Sequence, residues 1–464
     1  MLAPKRCDPQ VKNVRNAGRP AGRTVLFLLR ILGSIPLMTS NSATIHASPG
    51  QSTRLTAYLL RIVLIAFLLR ASGMVLLHTY RAHLENDESV HIATSLASGQ
   101  GFSNPFGRAT GPTAWLGPVY PFVLSRFFVL FGIQTRTAIF FALLFNCLVS
   151  ALTAIPVFLI GRYTFGLRVA KWSAWMWALL PYTIYWGLRS VWDTALSTFL
   201  FTSLFWLTLN LAESSTLRKW LLYGLTWGVA GLTNTAELAF LPLAGAWICY
   251  QQFRRGKPYF RNAAGGALIF FATMSPWMAR NYLVFHKFIP VRGNFGVEFH
   301  LGNTPDARGM WQVWLHPSQN SGELRKYQQM GEVAYAHSKL QETLQFVHEH
   351  PRHFAFLTFA HFIYYWSEAP HSEAYPGIYE LKFFFSLAAS VLGMLGLALA
   401  LRRRLPGAML YFFLLLSYPT VYYITFPHPR YRHPIEPELL ILVVYLITEA
   451  VAPQPAVPAS ADQV

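Results

Sequence analysis

Long apolar runs punctuate the chain and set its architecture. Ten of them, at 57–77, 138–160, 172–188, 194–211, 220–233, 236–250, 264–279, 381–401, 407–425 and 437–451, approach the length of a membrane crossing. A helix needs about 20 apolar residues to span a bilayer, and polar backbone in lipid must satisfy itself internally. The pattern therefore predicts an all-α polytopic membrane protein, a bundle of about ten transmembrane helices. Two further apolar stretches are treated differently. Residues 116–132 open on Pro118 and Pro121 and contain Arg126, and residues 353–367 are short. The first reads as lying along the membrane surface, the second as a surface or re-entrant segment, and 25–38, which Arg30 interrupts, as interfacial or weakly ordered.

The polar connections sort by charge. Residues 161–171 carry Arg162, Arg168 and Lys171 without an acid; 251–263 carry Arg254, Arg255, Lys257 and Arg261 without an acid; Arg402-Arg403-Arg404 is bare positive charge. Such loops belong in the cytoplasm. Residues 1–56 hold eight Lys and Arg against Asp8 alone and read as a flexible basic cytoplasmic tail. Residues 453–464 read as a disordered C-terminal tail. Parity then makes 57–452 the membrane domain, with segments 78–137, 280–380 and 426–437 on the outer face. The inner membrane of a cell envelope, crossed many times, is the expected location.

Composition agrees with this layout and removes other classes. The 464 residues are 53% hydrophobic and only 12% charged, against about 25% charged in soluble domains. The net charge of +18 would point to nucleic acid in a soluble protein; here it marks cytoplasmic loops facing anionic headgroups, and no nucleic-acid partner is expected. The three Cys show no paired spacing. No phosphate-loop motif occurs, which argues against nucleotide-driven transport. No soluble segment is long enough to hold a nucleotide sugar, so an activated donor should arrive on a lipid.

Against this background one stretch stands out. Glu85-Asn86-Asp87-Glu88 places three carboxylates within four residues just past the first apolar run, in a chain with 20 acids in all and none between Asp8 and Glu85. Charge at a membrane edge reads as functional or as a helix cap, with Asn86 or Asp87 starting a short helix over 89–97. The segment from Phe426 to Pro437 carries Arg430-Tyr431-Arg432 among four prolines. Read as an extended loop, it would send both guanidinium forks to one side to grip a lipid phosphate, or anchor among headgroups. Arg280, Arg292 and the Gly302-Asn303 bend could cradle phosphate or sugar hydroxyls, or serve an ordinary interfacial helix end. Asp193 and Glu237 sit at outer ends of spans, where either could hydrogen-bond a sugar, though a structural polar role is the stronger expectation. Neither HxxxH nor HExxH occurs among the 15 His.

The order of these motifs resembles the GT-C superfamily of membrane glycosyltransferases, in the bacterial branch with protein O-mannosyltransferases and aminoarabinose transferases. The residues carrying the resemblance are Asp87-Glu88, the helix at 89–97, Gly117-Pro118-Val119-Tyr120-Pro121, Trp277-Met278-Ala279-Arg280-Asn281-Tyr282, Gly302-Asn303 and Arg430-Tyr431-Arg432. The chain departs from the pattern at Gly117, His91 and Asn234-Thr235. The resemblance implies a GT-C-like bundle with outer juxtamembrane helices. It implies transfer of a sugar from a polyprenyl-phosphate donor to a glycan, lipid or protein acceptor on the extracytoplasmic face. From it, Asp87 is expected as general base with Glu88 as alternative and Glu85 third. Arg430 and Arg432 are the expected phosphate clamp, and Tyr120, Arg280, Arg292, Asn303 and Tyr431 further substrate contacts. A divalent cation, Mg or Mn, held by Asp87 and Glu88 could share the charge. A polysaccharide ligase or polymerase would use the same lipid and face. A lipid-linked substrate transporter would need an internal repeat, which the chain lacks.

Overall fold

The structure, a computed structural model, describes residues 49–81, 87–368 and 376–451. The chain divides into two compact units, residues 1–60 and 61–464, and the second contains the bundle and the site. Most of the expected basic tail, the run at 25–38, Glu85, Asn86 and residues 453–464 lie outside the described residues.

Among the described residues the fold is helical, with one isolated bridge between Ser103 and Pro112. The helices are α1 (Pro49–Leu76), α2 (Glu88–Ala97), α3 (Val119–Phe131), α4 (Arg136–Leu152), α5 (Ala154–Phe165), α6 (Leu167–Leu179), α7 (Pro181–Leu188), α8 (Thr194–Glu213), α9 (Leu217–Thr233) and α10 (Leu241–Arg254). There follow α11 (Phe260–Phe285), α12 (Phe295–Gly302), α13 (Ser321–Met330), α14 (Glu332–Glu349), α15 (Pro351–Ser367), α16 (Pro376–Arg402), α17 (Ala408–Ser417), α18 (Thr420–Ile424), α19 (Pro429–Arg432) and α20 (Glu436–Ala450). Among the described residues four segments are long and apolar enough by themselves to cross a membrane: Thr53–Leu76, Arg136–Phe165, Thr194–Glu213 and Lys382–Arg402. The other predicted spans fall on shorter helices or, for α11, on a longer and less apolar one.

One predicted span is broken. Residues 172–188 were expected as a single helix; the chain instead leaves helical geometry at Leu180, where φ is −66° and ψ 123°. Pro181 is the cause. It lacks the N–H that would close onto Trp177 O, and its ring disfavours helical geometry at the residue before it. Two side chains occupy the vacated acceptor: Thr183 Oγ1 donates to Trp177 O at 2.8 Å and an Arg70 amino group at 3.0 Å. Arg70 is completely buried and also donates to Ala178 O at 3.2 Å and Ser150 Oγ at 2.9 Å. A charge inside a span is tolerated here because carbonyls freed by a helix break surround it.

The short apolar segment before α4 becomes α3, about 20 Å long at 1.5 Å per residue, packing Tyr120, Leu124 and Phe128 inward. Helix α15 exposes Phe356, Phe359 and Phe362. Glu332 ties α14 to the loop before α3. It accepts from Thr113 Oγ1, from Ala114 N at 2.7 Å and from Tyr327 Oη at 2.7 Å.

Gly117 is required by a close approach. A Cβ there would lie 2.4 Å from Leu232 O and 2.7 Å from Thr233 O, at the C-terminus of α9. The loop entering α3 touches backbone, which cannot step aside. Gly117→Ala is expected to destabilise the fold by about 1–3 kcal/mol, read as a lower Tm of the purified protein in detergent.

Candidate functional site

The ends of several helices and the loops joining them enclose a cavity of 350 Å³. Five sets of residues supply its chemistry: Glu88 and Ser89 from α2; Trp192, Asp193 and Ser197 from the start of α8; Asn234 beyond α9; Arg292, Asn294 and Glu298 around α12; and Arg430 and Tyr431 from α19. Tyr120 and Tyr422 complete the wall. The acidic stretch after the first span and the basic stretch before the last therefore meet on one space.

Asp87 is the N-cap of α2, as a capping reading required. Its Oδ1 accepts from Ser89 N at 2.9 Å and Val90 N at 3.2 Å. Unlike an ordinary cap it is only 8% exposed. Burial, reinforced by the neighbouring Glu88 charge, pushes its carboxyl up to about 7, although the Val90 N–H, Arg430 and a hydrogen bond from Trp192 pull the other way. A carboxyl titrating near neutrality is suited to exchanging protons with a substrate. Glu88 faces the cavity itself, with His316 Nε2 3.5 Å from its Oε1. Burial likewise raises Asp193, against the pull of Arg430 and Arg292.

Arg430 reaches the cavity over the face of Trp192, 4.6 Å from the ring centre, and lies 5.1 Å from the ring of Tyr431. Among the described residues no carboxylate comes within ion-pair distance of it, though Asp193 and Glu88 are close enough to stabilise its charge. Tyr431 stacks on Tyr422 at 4.7 Å. Helix α19 is capped by His428, whose Nδ1 accepts from Arg430 N at 3.3 Å. Burial and the charges of Arg430 and Arg189 lower His428 to about 3, so the ring stays neutral and able to accept.

The expectation of an extended arginine loop is corrected. Residues Pro429–Arg432 form a helical turn that continues as a 3-10 turn into α20. On a helix, side chains two apart point about 200° from each other, so Arg430 and Arg432 diverge. Arg432 turns into the bundle, 2% exposed, and pairs with Glu436 at 2.9 Å while donating to Trp366 O and Ser386 O, both at 3.1 Å. It holds α19 from behind. Glu436→Gln leaves that guanidinium buried without its countercharge. The expected loss is about 3–5 kcal/mol of stability, visible as a lower Tm.

The remaining expected contacts divide. Tyr120 lies on the wall, its hydroxyl accepting from Asn146 Nδ2 at 2.9 Å. Arg292 is on the wall too, steered by Trp115 O at 2.9 Å and Glu298 at 3.2 Å. Arg280 and Asn303 are placed away from it. Arg280 donates to Thr113 O at 2.7 Å and Phe102 O at 2.8 Å, pinning the loop before α3. Asn303 Nδ2 donates to Phe299 O at 2.8 Å and Ile424 O at 2.9 Å, joining α12 to α18. Sequence reasoning passed over Glu298, Trp192, Ser197 and Asn294. Asp193, set down as structural, lines the cavity. The usable signal was an adjacent Trp-Asp pair just ahead of an apolar run.

Asp87 and Glu88 have no third metal-ligating side chain grouped with them among the described residues. Among the described residues no three His, Cys, Asp or Glu gather to hold an ion, and the Asp87 oxygen Oδ1 is already committed to the helix cap.

Comparison with known proteins agrees with this architecture. Residues 112–278 match the sequence model of the family described as dolichyl-phosphate-mannose-protein mannosyltransferase. No curated protein matches the chain in sequence. Among solved structures, the archaeal oligosaccharyltransferase AglB from Archaeoglobus fulgidus, in complex with an inhibitory peptide and a dolichol-phosphate, superposes with a TM-score of 0.50 at 14% identity, over 85% of this chain and 50% of that one. The same enzyme in the apo form gives 0.51 at 14% identity, over 84% and 50%. ArnT from Cupriavidus metallidurans bound to undecaprenyl phosphate gives 0.39 at 12% identity, over 86% and 78%. The chain thus spans about half the length of the archaeal enzyme. Its fold is that of the GT-C class of membrane glycosyltransferases. In sequence, the segment from the loop before α3 through most of α11 is similar to the mannosyltransferase family named above.

Proposed function

We propose that the protein transfers a sugar from a polyprenyl-phosphate donor to an acceptor hydroxyl on the extracytoplasmic face of an inner membrane. The observation that carries this reading is the shared cavity: Glu88 and Arg430 on its wall, with Asp87 directly behind. Asp87 takes the proton of the acceptor hydroxyl as its oxygen attacks the anomeric carbon. The bond from that carbon to the phosphate oxygen breaks, and the electron pair leaves with the lipid phosphate. Arg430 meets the growing negative charge, with Arg292 and Tyr431 assisting. Arg432 acts through Glu436 and α19, keeping Arg430 in place. Asp193, Ser197, Asn234 and Asn294 offer the polar wall that a sugar's hydroxyls need.

No step above depends on a divalent cation. The archaeal oligosaccharyltransferase that shares the fold was solved with a dolichol-phosphate, which supports a lipid-phosphate donor; the acceptor is a glycan, lipid or protein. The test is thin-layer separation of lipid-linked sugars from cells lacking the protein. One lipid-phosphate sugar should accumulate and disappear again when the gene is restored. An unchanged lipid-sugar profile argues against the reading. Accumulation of a lipid-linked oligosaccharide would instead support the ligase or polymerase alternative.

A further inference from the structure

A second hollow lies between α6 and α20, away from the candidate site. It measures 540 Å³ and is lined by Arg168, Trp172, Trp175, Leu179, Ile447 and Val451 among others. Its wall is apolar except at one end. Helix α6 begins beside Arg168 and α20 ends beside Val451, so these two residues share the mouth, while Leu179 and Pro181 lie at the deep end. From Arg168 to Leu180 the helix rises about 18 Å at 1.5 Å per residue, close to one leaflet of a hydrocarbon core about 30 Å thick. Arg168 is exposed, and among the described residues it has no ion-pair partner. Glu449, two residues before Val451, is paired with Arg403. Trp172 is 60% exposed one helical turn beyond Arg168, the depth at which tryptophan favours the headgroup boundary.

We propose that this groove is a binding site for an anionic phospholipid of the leaflet on the basic side of the bundle. One acyl chain lies along Trp175, Leu179 and Ile447, and Arg168 holds the phosphate. The charge at the mouth selects the headgroup, and the groove depth matches one acyl chain. The chain's own continuation, residues 452–464, is a poor occupant: it offers two valines and three prolines, too little apolar bulk for a wall of Trp, Leu and Ile.

The test is native mass spectrometry of the full-length protein with equimolar dioleoyl phosphatidylglycerol and dioleoyl phosphatidylcholine. The expected result is about a fivefold preference for phosphatidylglycerol in the first adduct, the effect of one arginine near an anionic headgroup. Arg168→Gln should abolish that preference and Arg168→Lys should keep most of it. Phosphatidylglycerol brominated in its acyl chains should quench the protein's tryptophan emission, and less so in Trp172→Phe/Trp175→Phe. Equal binding of both lipids by the wild type, as a groove already filled by residues 452–464 would give, overturns the proposal. So does an undiminished preference in Arg168→Gln, or identical quenching in the double variant.

Discussion

Asp87→Asn is expected to lower the rate of sugar transfer by about 10²–10⁴-fold, the usual worth of a positioned proton acceptor. The fold should survive, because Asn caps a helix as well as Asp does and the amide oxygen can still receive Ser89 N and Val90 N. Loss of activity at unchanged Tm therefore isolates the proton transfer from the cap. The pH profile supplies a second reading. The base must be ionised to act, and burial beside Glu88 raises Asp87 to about 7. The wild-type rate should then climb as pH rises through neutrality and fall below it, where an ordinary carboxylate would already be fully ionised. Membranes supplied with a radiolabelled lipid-sugar provide the assay, with Glu88→Gln as the companion variant. Full activity in Asp87→Asn together with its loss in Glu88→Gln would move the base to Glu88, the carboxylate lining the cavity.

Arg430→Gln should reduce transfer by about 10²–10³-fold, comparable to removing a donor that stabilises charge developing in a transition state. The guanidinium rests on Trp192 and faces Asp193 without an ion pair at contact distance. It is thus available to a phosphate in a way that Arg432, locked to Glu436, is not. Arg430→Lys should recover part of the rate, since a compact ammonium keeps the charge but loses the planar fork and the stacking on Trp192. The contrast between the two arginines decides the assignment. Glu436→Gln should act mainly on stability, whereas Arg430→Gln should act on turnover with little change in Tm. Equal turnover in wild type and Arg430→Gln would remove the clamp from the mechanism.

Much of this arrangement was legible in the chain. The apolar runs and the sign of the loops marked a helical membrane protein, because lipid accepts only internally satisfied backbone. The rarity of acids drew attention to Asp87 and Glu88, and the prolines and arginines near 430 drew attention to the last loop. The cap at Asp87 followed from local chemistry as well. Such features depend on composition and on neighbours a few residues away.

Tertiary contacts decided the rest. The helical turn at residues 429–432 separates the two guanidinium groups, and what draws Arg432 into the bundle is distant in the chain: it donates to Trp366 O, Ser386 O and Ser390 Oγ. Asp193 with Ser197, then Asn234, then Glu298 lie on three separate segments and become a cavity wall only when α8, α9 and α12 converge. Gly117 has meaning only because the end of α9 passes against it. Burial does the same for Asp87, since the solvent exclusion that brings its carboxyl towards neutrality is a property of the packed cleft.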